Sequence, residues 1–311
     1  MEKIATREAY GKALAAIGEE NEKIVVLDAD LSKSTKTEIF AKKFPHRSFN
    51  MGIAEANMAG TAAGLAIAGQ VVFMSSFAIF ATGRAFEIIR NGICYPKLNV
   101  KIAATHGGLT VGEDGGSHQS IEDIALMRVL PNMKVLVPAD GTETRKMVEA
   151  LAKDYGPAYL RLGRSGQPLL FGEEYDFQIG KGKVLREGKD VALVACGLMV
   201  AEAVAAAELL SEQGINAAVI NMSTIKPLDT DLLLAYAKIC GAVVTAEEHS
   251  IIGGLGGAVA EALSEAYPCP VQRVGVQDSF GESGKPAELL EKYGLTAKDI
   301  AAAAVRAIKL K

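Results

Sequence analysis

The feature that most constrains this chain is the regular alternation of short apolar runs with longer segments of helical periodicity. Six β-prone runs occur in its first part: IVVLDA at 24, SFNMGI at 48, VVFMSSF at 71, NVKIAATH at 99, KVLVPAD at 134 and AYLRLG at 158. Between them lie segments such as EANMAGTAAGLAIA and GTETRKMVEALAKDY, whose apolar residues recur at helical spacing. Buried strands alternating with helices predict an α/β fold with a doubly wound, mostly parallel sheet.

The alternation stops near residue 164 and starts again near residue 190. The intervening RSGQPLLFGEEYDFQIGKGKVLREGKD has little periodicity and predicts a connection with a short hairpin. Four further apolar runs follow it, DVALVACG, INAAVINMS, GAVVTAEEH and PVQRVGV, with helices expected to begin near Leu198, Asp231 and Leu255. We therefore expect two α/β domains, at 1–180 and 181–311.

Composition excludes several classes of protein. The 311 residues carry a net charge of −4, and no run of Lys or Arg is interleaved with aromatics as in a nucleic-acid surface. The longest apolar runs are too short to span a bilayer, and the N-terminus lacks the apolar core of a signal peptide. No CxxC pair occurs, which indicates a reducing, cytoplasmic setting; the cysteines are Cys94, Cys196, Cys240 and Cys269.

Ionisable and aromatic side chains follow five of the predicted strands. In an open parallel sheet, ligands bind beyond the carboxyl ends of the strands. These side chains should therefore share one cleft. In chain order they are Asp30, Ser34, Glu55, Phe77, Phe80, His106 and Arg164.

The segment ATHGGLTVGEDGGSHQS at 104–120 contains five glycines, an acidic pair, Glu113 and Asp114, and two of the chain's four histidines, His106 and His118. Glycines permit backbone shapes that other residues avoid, so the segment predicts a loop that places polar groups over the cleft. The spacing of its acidic and imidazole groups matches no compact metal motif, and we predict no metal held by this chain.

Taken together, these motifs resemble transketolase, specifically its pyrimidine-binding and C-terminal domains, over nearly the whole chain. The matching stretches include ATREAYGKAL, LDADLSKST, NMGIAEANMAGTAAGLA, SSFAIFATGRAFE and YLRLGRSGQP. The ordered combination ATH, GEDG, SHQ and PADGTE is highly specific. The resemblance implies transfer of a two-carbon ketol unit from a ketose phosphate to an aldose phosphate, with thiamine diphosphate as cofactor.

A full transketolase also has a diphosphate-binding domain with a GDG segment, and nothing in this chain resembles it. The resemblance therefore implies the smaller subunit of a split transketolase. A separate partner chain would hold the diphosphate and Mg²⁺, and the pair would form a two-plus-two heterotetramer. Ala59, Ala63 and Gly64 on the helix after Glu55 are small enough to permit close packing at a subunit interface.

The resemblance also implies roles beside the cofactor. Glu55 matches the glutamate that hydrogen-bonds a pyrimidine ring nitrogen, and Asp30 matches an acidic residue next to the cofactor. Phe77 and Phe80 match aromatic walls of the pyrimidine pocket. Gly83 stands where the pattern has a third aromatic residue, so another residue is expected to complete that wall.

For the sugar substrates, the resemblance implies two groups of residues. Groups that bind the hydroxyls and carbonyl of the ketose donor are matched by His106, Asp114 and His118. Of these, His118 is the candidate for proton transfer near the reacting carbon. A clamp for the sugar phosphate is matched by Arg7, Ser34 and Arg164, and guanidinium forks suit a phosphate dianion.

Three alternatives share parts of this pattern. The β subunit of a 2-oxoacid dehydrogenase-type decarboxylase has the same two domains, but the GEDGGSHQ loop and the arginines favour transketolase. A 1-deoxyxylulose-5-phosphate synthase-like activity would share the glutamate helix and the histidine loop. A non-catalytic subunit is disfavoured because it has no chemical reason to retain Glu55, Asp114 and both histidines.

Three polar residues of the second part lie at a predicted strand end, where they could serve an interface: Glu247, Glu248 and His249. We assign them no chemical role.

Overall fold

The computed structural model describes residues 3–311. The strands of its first part are β1 (Lys3–Ala5), β2 (Ile24–Asp28), β3 (Ser48–Asn50), β4 (Val71–Ser75), β5 (Val100–Ala104), β6 (Lys134–Leu136), β7 (Ala158–Arg161) and β8 (Gly166–Pro168). The α-helices there are α1 (Thr6–Glu20), α2 (Ser32–Thr35), α3 (Glu38–Lys43), α4 (Glu55–Ile67), α5 (Phe86–Ile88), α6 (Asp123–Arg128) and α7 (Gly141–Lys153). Two π-helical turns cover Phe80–Arg84 and Ile89–Cys94, and 3₁₀ turns cover Pro45–Arg47 and Leu109–Val111.

The second part of the chain repeats the alternation on a smaller scale. Its strands are β9 (Lys183–Arg186), β10 (Val191–Ala195), β11 (Ala217–Asn221), β12 (Thr224–Lys226), β13 (Val243–Ser250) and β14 (Val271–Val276). Its helices are α8 (Met199–Glu212), α9 (Thr230–Cys240), α10 (Leu255–Ala266), α11 (Pro286–Lys292) and α12 (Ala297–Ile308).

A seven-stranded sheet organises the first part, in the order β12-β6-β7-β5-β4-β2-β3. The pairings among β2 to β7 are all parallel. Every residue of β2, β4 and β5 is buried, because helices cover both faces of the sheet and leave no side of these strands in water. The doubly wound, mostly parallel sheet predicted from the apolar runs is confirmed.

A five-stranded sheet organises the second part, in the order β14-β13-β10-β11-β9. Its pairings are parallel except that β9 lies antiparallel to β11. The four apolar runs predicted as strands form β10, β11, β13 and β14. The helices α8, α9 and α10 begin at Met199, Thr230 and Leu255, within one residue of the predicted starts.

The connection between the two parts is arranged differently from the prediction. The expected hairpin is wrong: β8 pairs with β1 at the start of the chain, and β9 joins the second sheet. In addition, β12 leaves the second part and pairs antiparallel with β6 at the edge of the first sheet. The second part therefore contributes an edge strand to the sheet of the first, and the two parts pack against each other.

The small residues of α4 divide between two faces of the helix. Ala59 and Ala63 are buried against the chain's own core, so the expectation that they face a subunit interface is wrong. Gly60 and Gly64 lie on the exposed face, where an added Cβ would meet no atom within 4 Å. Of the three residues expected to permit close packing against another chain, Gly64 is therefore the exposed one.

Two further features concern the helices and the cysteines. Within residues 3–311, no helix is long and apolar enough to span a bilayer. The four cysteines are free thiols rather than disulfides.

Candidate active site

Parallel strand ends gather the candidate residues, as expected, at one edge of the first sheet. Beyond their last regular residues, β4 and β5 stay paired through a bridge between Phe77 and Thr105. The amide of Ala78 donates to the carbonyl of Thr105 at 2.6 Å. This continued pairing places Phe77 beside His106, the residue that follows Thr105.

Two phenylalanine rings and two imidazoles form a stacked cluster at this edge. The ring centroids of Phe77 and His106 are 3.7 Å apart with the planes nearly parallel, and Phe77 stacks on Phe80 at 5.9 Å. His118 presents its ring edge-on to Phe80 at 5.4 Å and to Phe77 at 6.1 Å. The loop thus brings His118 back over the strand ends.

Glu55 is a buried carboxylate at the start of α4, with 3% of the residue exposed. Its position in the first turn suits a negative charge, because the helix N-terminus carries positive potential. Its Oε1 accepts a hydrogen bond from Nη1 of Arg84 at 3.1 Å, and Oε2 lies 3.4 Å from the same nitrogen. A buried carboxylate without such a partner would be costly.

The π-helical turn at Phe80–Arg84 explains what stands in place of the missing aromatic. A π turn accommodates one extra residue in a helix. Gly83 has no atom within 4 Å of an added Cβ, whereas the guanidinium of Arg84 lies over the Phe80 ring, 4.2 Å from its centroid. Arg84, which sequence reasoning did not single out, covers the face of Phe80.

His106 is held as a neutral imidazole. It is buried, adopts a left-handed backbone with φ of 61°, and pairs its Nδ1 with the Thr105 hydroxyl at 2.8 Å. Burial, with the positive charges of Arg7 and Arg164 and with His118, lowers its pKa to about 3. The ring is therefore uncharged at physiological pH and acts there as a neutral hydrogen-bonding group.

The glycine loop that carries His118 needs its glycines for their backbone shape. Gly108, Gly112 and Gly115 have φ values of 87°, 86° and 77°, a region that L side chains rarely adopt. Nδ1 of His118 pairs with the Ser117 hydroxyl at 3.0 Å. Asp114 is exposed on the outer part of the loop.

Arg7 and Arg164 form a positively charged pair next to this cluster. Burial and the charge of Arg164 lower the pKa of Arg7. Nη1 of Arg7 donates to the carbonyl of Ser34 at 2.8 Å, and its buried Nε has no hydrogen-bond partner within residues 3–311. Arg164 lies 3.6 Å from the Glu113 carboxylate and donates to the carbonyl of Val111. Ser34 thus contacts Arg7 through its backbone.

Asp30 is placed at the same edge but outside the cluster. Its left-handed backbone, with φ of 64°, is fixed by reciprocal hydrogen bonds with Asn50, at 2.8 Å and 3.0 Å. Within residues 3–311 no hydrogen bond or ion pair links Asp30 to Glu55 or to the histidines. Across the same residues, no three His, Cys, Asp or Glu side chains group as a metal site requires.

A second buried polar cluster lies beneath the loop, and sequence reasoning gave its members no role. The guanidinium of Arg161 donates to the Asp123 carboxylate at 2.7 Å, and both groups are buried. Burial favours the neutral form of Asp123, but the charge of Arg161 prevails and lowers its pKa. The same guanidinium donates to the Glu248 carbonyl at 2.9 Å. Arg161 therefore joins the first sheet to strand β13 through this second hydrogen bond.

The PADGTE stretch, which carried part of the resemblance, serves the joint between the two parts of the chain. Asp140 caps α7 by accepting from the Glu143 amide at 2.7 Å, and it also accepts from the amides of Leu170 and Phe171. Glu143 accepts from the Tyr175 hydroxyl at 2.9 Å and from Asn221 at 2.8 Å. Its side chains are therefore buried scaffold groups and do not contact the cluster.

Comparison with known proteins places this fold and cluster in one family. Residues 2–168 match the family described as transketolase, pyrimidine binding domain, and residues 180–300 match transketolase, C-terminal domain. The two matches cover most of the chain. The chain belongs to the transketolase family.

Two relatives and one solved structure are similar to this chain over nearly the whole length of both partners in each comparison. A putative transketolase C-terminal section from Methanocaldococcus jannaschii is 52% identical over 95% of this chain and 93% of its own length. A 6-deoxy-6-sulfo-D-fructose transketolase subunit from Clostridium is 44% identical over 96% of this chain and 92% of its own. A solved structure described as a split gene transketolase, inactive beta4 tetramer, superposes with a TM-score of 0.92 at 61% identity and covers all of both chains.

Proposed function

We propose that this chain is the pyrimidine-side subunit of a thiamine diphosphate-dependent transketolase, which transfers a two-carbon ketol unit from a ketose phosphate to an aldose phosphate. One observation carries the proposal: a buried carboxylate, two stacked phenylalanine rings and two imidazoles meet at a single sheet edge. Each group suits a different requirement of that transfer. The proposed division of the chain is a pyrimidine-binding domain at 1–180 and a C-terminal domain at 181–311.

The residues around Glu55 fit the pyrimidine ring of the cofactor. A pyrimidine needs a flat apolar wall and a partner for its ring nitrogen. Phe77 and Phe80 offer the wall, and the Glu55 carboxylate, linked to Phe80 through Arg84, offers the partner. When bound, thiamine diphosphate would supply a carbon nucleophile. Glu55 would hold the proton at the ring nitrogen through one of its carboxylate oxygens.

The histidines suit the sugar donor. His118 uses Nδ1 on Ser117, which leaves Nε2 to take or give a proton at a donor hydroxyl. His106 uses Nδ1 on Thr105 and stays neutral, so its Nε2 is suited to orient a hydroxyl or carbonyl without changing charge. We propose Asp114, exposed on the glycine loop, as a further contact for the sugar hydroxyls.

Arg7 and Arg164 suit the phosphate of the sugar. Two guanidinium groups close enough for one to lower the pKa of the other are repulsive until an anion lies between them. The buried, unpartnered Nε of Arg7 within residues 3–311 is a donor that a phosphate oxygen would satisfy. Ser34 would position Arg7 through its carbonyl.

We propose that a separate chain completes the site by holding the diphosphate and Mg²⁺, in a two-plus-two assembly in the cytoplasm. The exposed side of the Glu55 region carries apolar groups that a partner would cover: Phe49, Ile53 and Ile67 are 45%, 76% and 74% exposed. The exposed glycines Gly60 and Gly64 lie on the adjoining helix face. The relatives described as a subunit, a section and a split gene product support this arrangement.

The test is a turnover assay with the chain and its diphosphate-domain partner, in the presence of thiamine diphosphate and Mg²⁺. Xylulose 5-phosphate with ribose 5-phosphate is the first substrate pair, and 6-deoxy-6-sulfofructose is included because one relative is named for it. We expect transfer from a ketose donor and no turnover of pyruvate. Decarboxylation of pyruvate without ketol transfer would contradict the proposal and favour the decarboxylase alternative.

A further inference from the structure

The end of strand β13 in the C-terminal part lies directly against the glycine loop. The Glu248 carboxylate accepts a hydrogen bond from the backbone amide of Thr110 at 2.6 Å, across 138 residues of sequence. Glu248 is 4% exposed. Its carboxylate occupies the space beside Gly108, where any Cβ would overlap it. The loop and this side chain are therefore fitted to each other.

The far end of the loop is tied to the same strand. Nη2 of Arg161 donates to the carbonyl of Ser120 at 3.1 Å and to the carbonyl of Glu248 at 2.9 Å. The amide of Ser250 donates to the carbonyl of Ile121 at 2.7 Å. Both sets of contacts thus involve a stretch of three residues in β13, from Glu248 to Ser250.

The side chain of Gln119 links the loop both to itself and to the C-terminal part. Nε2 of Gln119 donates to the carbonyl of Leu109 at 3.1 Å within the loop, and to the carbonyl of Glu282 in the C-terminal part at 2.9 Å. A glycine-rich loop has little intrinsic preference for one shape, so such contacts decide its conformation. Arg161 and Gln119 donate to backbone carbonyls, whereas the Glu248 side chain accepts from a loop amide, so a substitution of Glu248 releases that amide.

We propose that Glu248 is a positioning residue, which fixes the glycine loop through the Thr110 amide and thereby holds His106 and His118 over the site. This gives the C-terminal domain a part in the reaction without contact with substrate or cofactor. The residues between Thr110 and His106 are also held by hydrogen bonds. The amide of Gly107 donates to the carbonyl of Leu162, and that of Gly108 donates to the carbonyl of Ser120. The inference about catalysis rests on the proposed function, whereas the inference about the loop does not.

The chain offers a closely matched control in the neighbouring Glu247. Glu247 is also buried and also accepts from backbone amides, those of Leu255 and Gly256 at 2.7 Å and 2.8 Å. Its partners belong to helix α10 rather than to the loop. Removing Glu247 or Glu248 therefore deletes a similar group from the same strand but releases different amides.

The first experiment is amide hydrogen exchange on the purified chain. Glu248→Ala should speed exchange at residues 107–120 by about tenfold or more, because the Thr110 amide loses its acceptor. Glu248→Met, which keeps the volume without an acceptor, should act alike and covers the case in which the alanine variant does not fold. Glu248→Gln retains a carbonyl oxygen and should restore protection. Glu247→Ala should speed exchange at Leu255 and Gly256 only.

The second experiment compares these variants in the assembled enzyme. Glu248→Ala and Glu248→Met should lower kcat about 10- to 100-fold while leaving cofactor affinity unchanged, with recovery in Glu248→Gln. Unaltered loop exchange in Glu248→Ala and Glu248→Met would overturn the inference, as would equal loop exchange in Glu247→Ala. Absence of ketose phosphate turnover by the unmodified complex would instead remove the proposed function and leave the exchange result interpretable.

Discussion

The guanidinium of Arg84 is bonded to the carboxylate of Glu55, with Nη1 3.1 Å from Oε1, while the same group lies over the Phe80 ring. The side chain of Glu55 is 4% exposed and that of Arg84 is 52% exposed. Arg84 therefore covers one face of Phe80 and compensates the negative charge of the buried Glu55 carboxylate. The π turn at Phe80–Arg84 places it there, after a glycine that leaves the space open.

Replacing Arg84 with alanine should destabilise the isolated chain. Glu55 would lose its partner, and we expect the free energy of unfolding to fall by about 1 kcal/mol, a modest value because water screens the exposed guanidinium. Urea unfolding measures this. The matched control is Arg90→Ala, since among residues 3–311 the exposed Arg90 side chain bonds only the neighbouring Asn91 side chain. Equal losses in both variants would contradict a specific role for the Arg84 contact.

His106 should remain neutral throughout the physiological range. Burial and the nearby cationic groups lower its pKa to about 3, so its ring signals should not shift between pH 5 and pH 8. The chain has four histidines, so proton NMR can resolve them, and His106→Gln identifies the signal. A titration midpoint near the ordinary value of about 6.5 would refute the neutral assignment.

Arg164 should act on the phosphate of the substrate rather than on the chemical step. Replacing Arg164 with glutamine in the assembled enzyme should raise KM for a ketose phosphate about 10- to 100-fold and change kcat little. The unphosphorylated ketose is the internal control, because its KM should not change. A parallel loss with both substrates would show that Arg164 instead supports the loop through Val111.

Glu143 should make stability depend on pH. Burial, with the charge of Asp140, raises its pKa to about 7 despite its hydrogen bonds, so folding favours the protonated form. Its contribution to stability is fully present below about pH 4.5, the unfolded value, and is lost as the pH rises through about 7. The contribution is at most about 3 kcal/mol. Urea unfolding at stepped pH should show a shallower decline for Glu143→Gln; an identical slope would count against this assignment.

The fold was largely predictable because its signals are local. Strands such as β2 and β5 are buried on both faces and appear as predominantly apolar runs. The rule that ligands lie beyond parallel strand ends then predicts that Glu55, Phe77 and His106 share one edge of the sheet. The connection was not predictable, because β8 and β9 have no apolar pattern and find their partners far along the chain.

Two parts of the site could not be predicted from the sequence, because one depends on a π turn and the other on a contact between residues far apart in the chain. Arg84 has no distinguishing pattern in the sequence, and only the π turn reveals that it faces Phe80. Glu248 lies 138 residues from Thr110, and no spacing rule connects them. Asp140 and Glu143 belong to the PADGTE stretch that carries part of the resemblance, and they serve as buried scaffold groups. A motif shared across a family can be shared for folding reasons.

The central claim is that this chain provides only the pyrimidine side of a divided cofactor site, with Glu55 as its key group. The most direct test is calorimetric titration of thiamine diphosphate and Mg²⁺ into the chain alone, the diphosphate-domain partner alone, and the two combined. We expect tight binding only in the combined sample. Glu55→Ala should weaken that binding and lower turnover by about 10²- to 10⁴-fold, whereas the exposed-site control Glu87→Gln should not. Equally tight binding by this chain alone, or by the Glu55→Ala complex, would contradict the account.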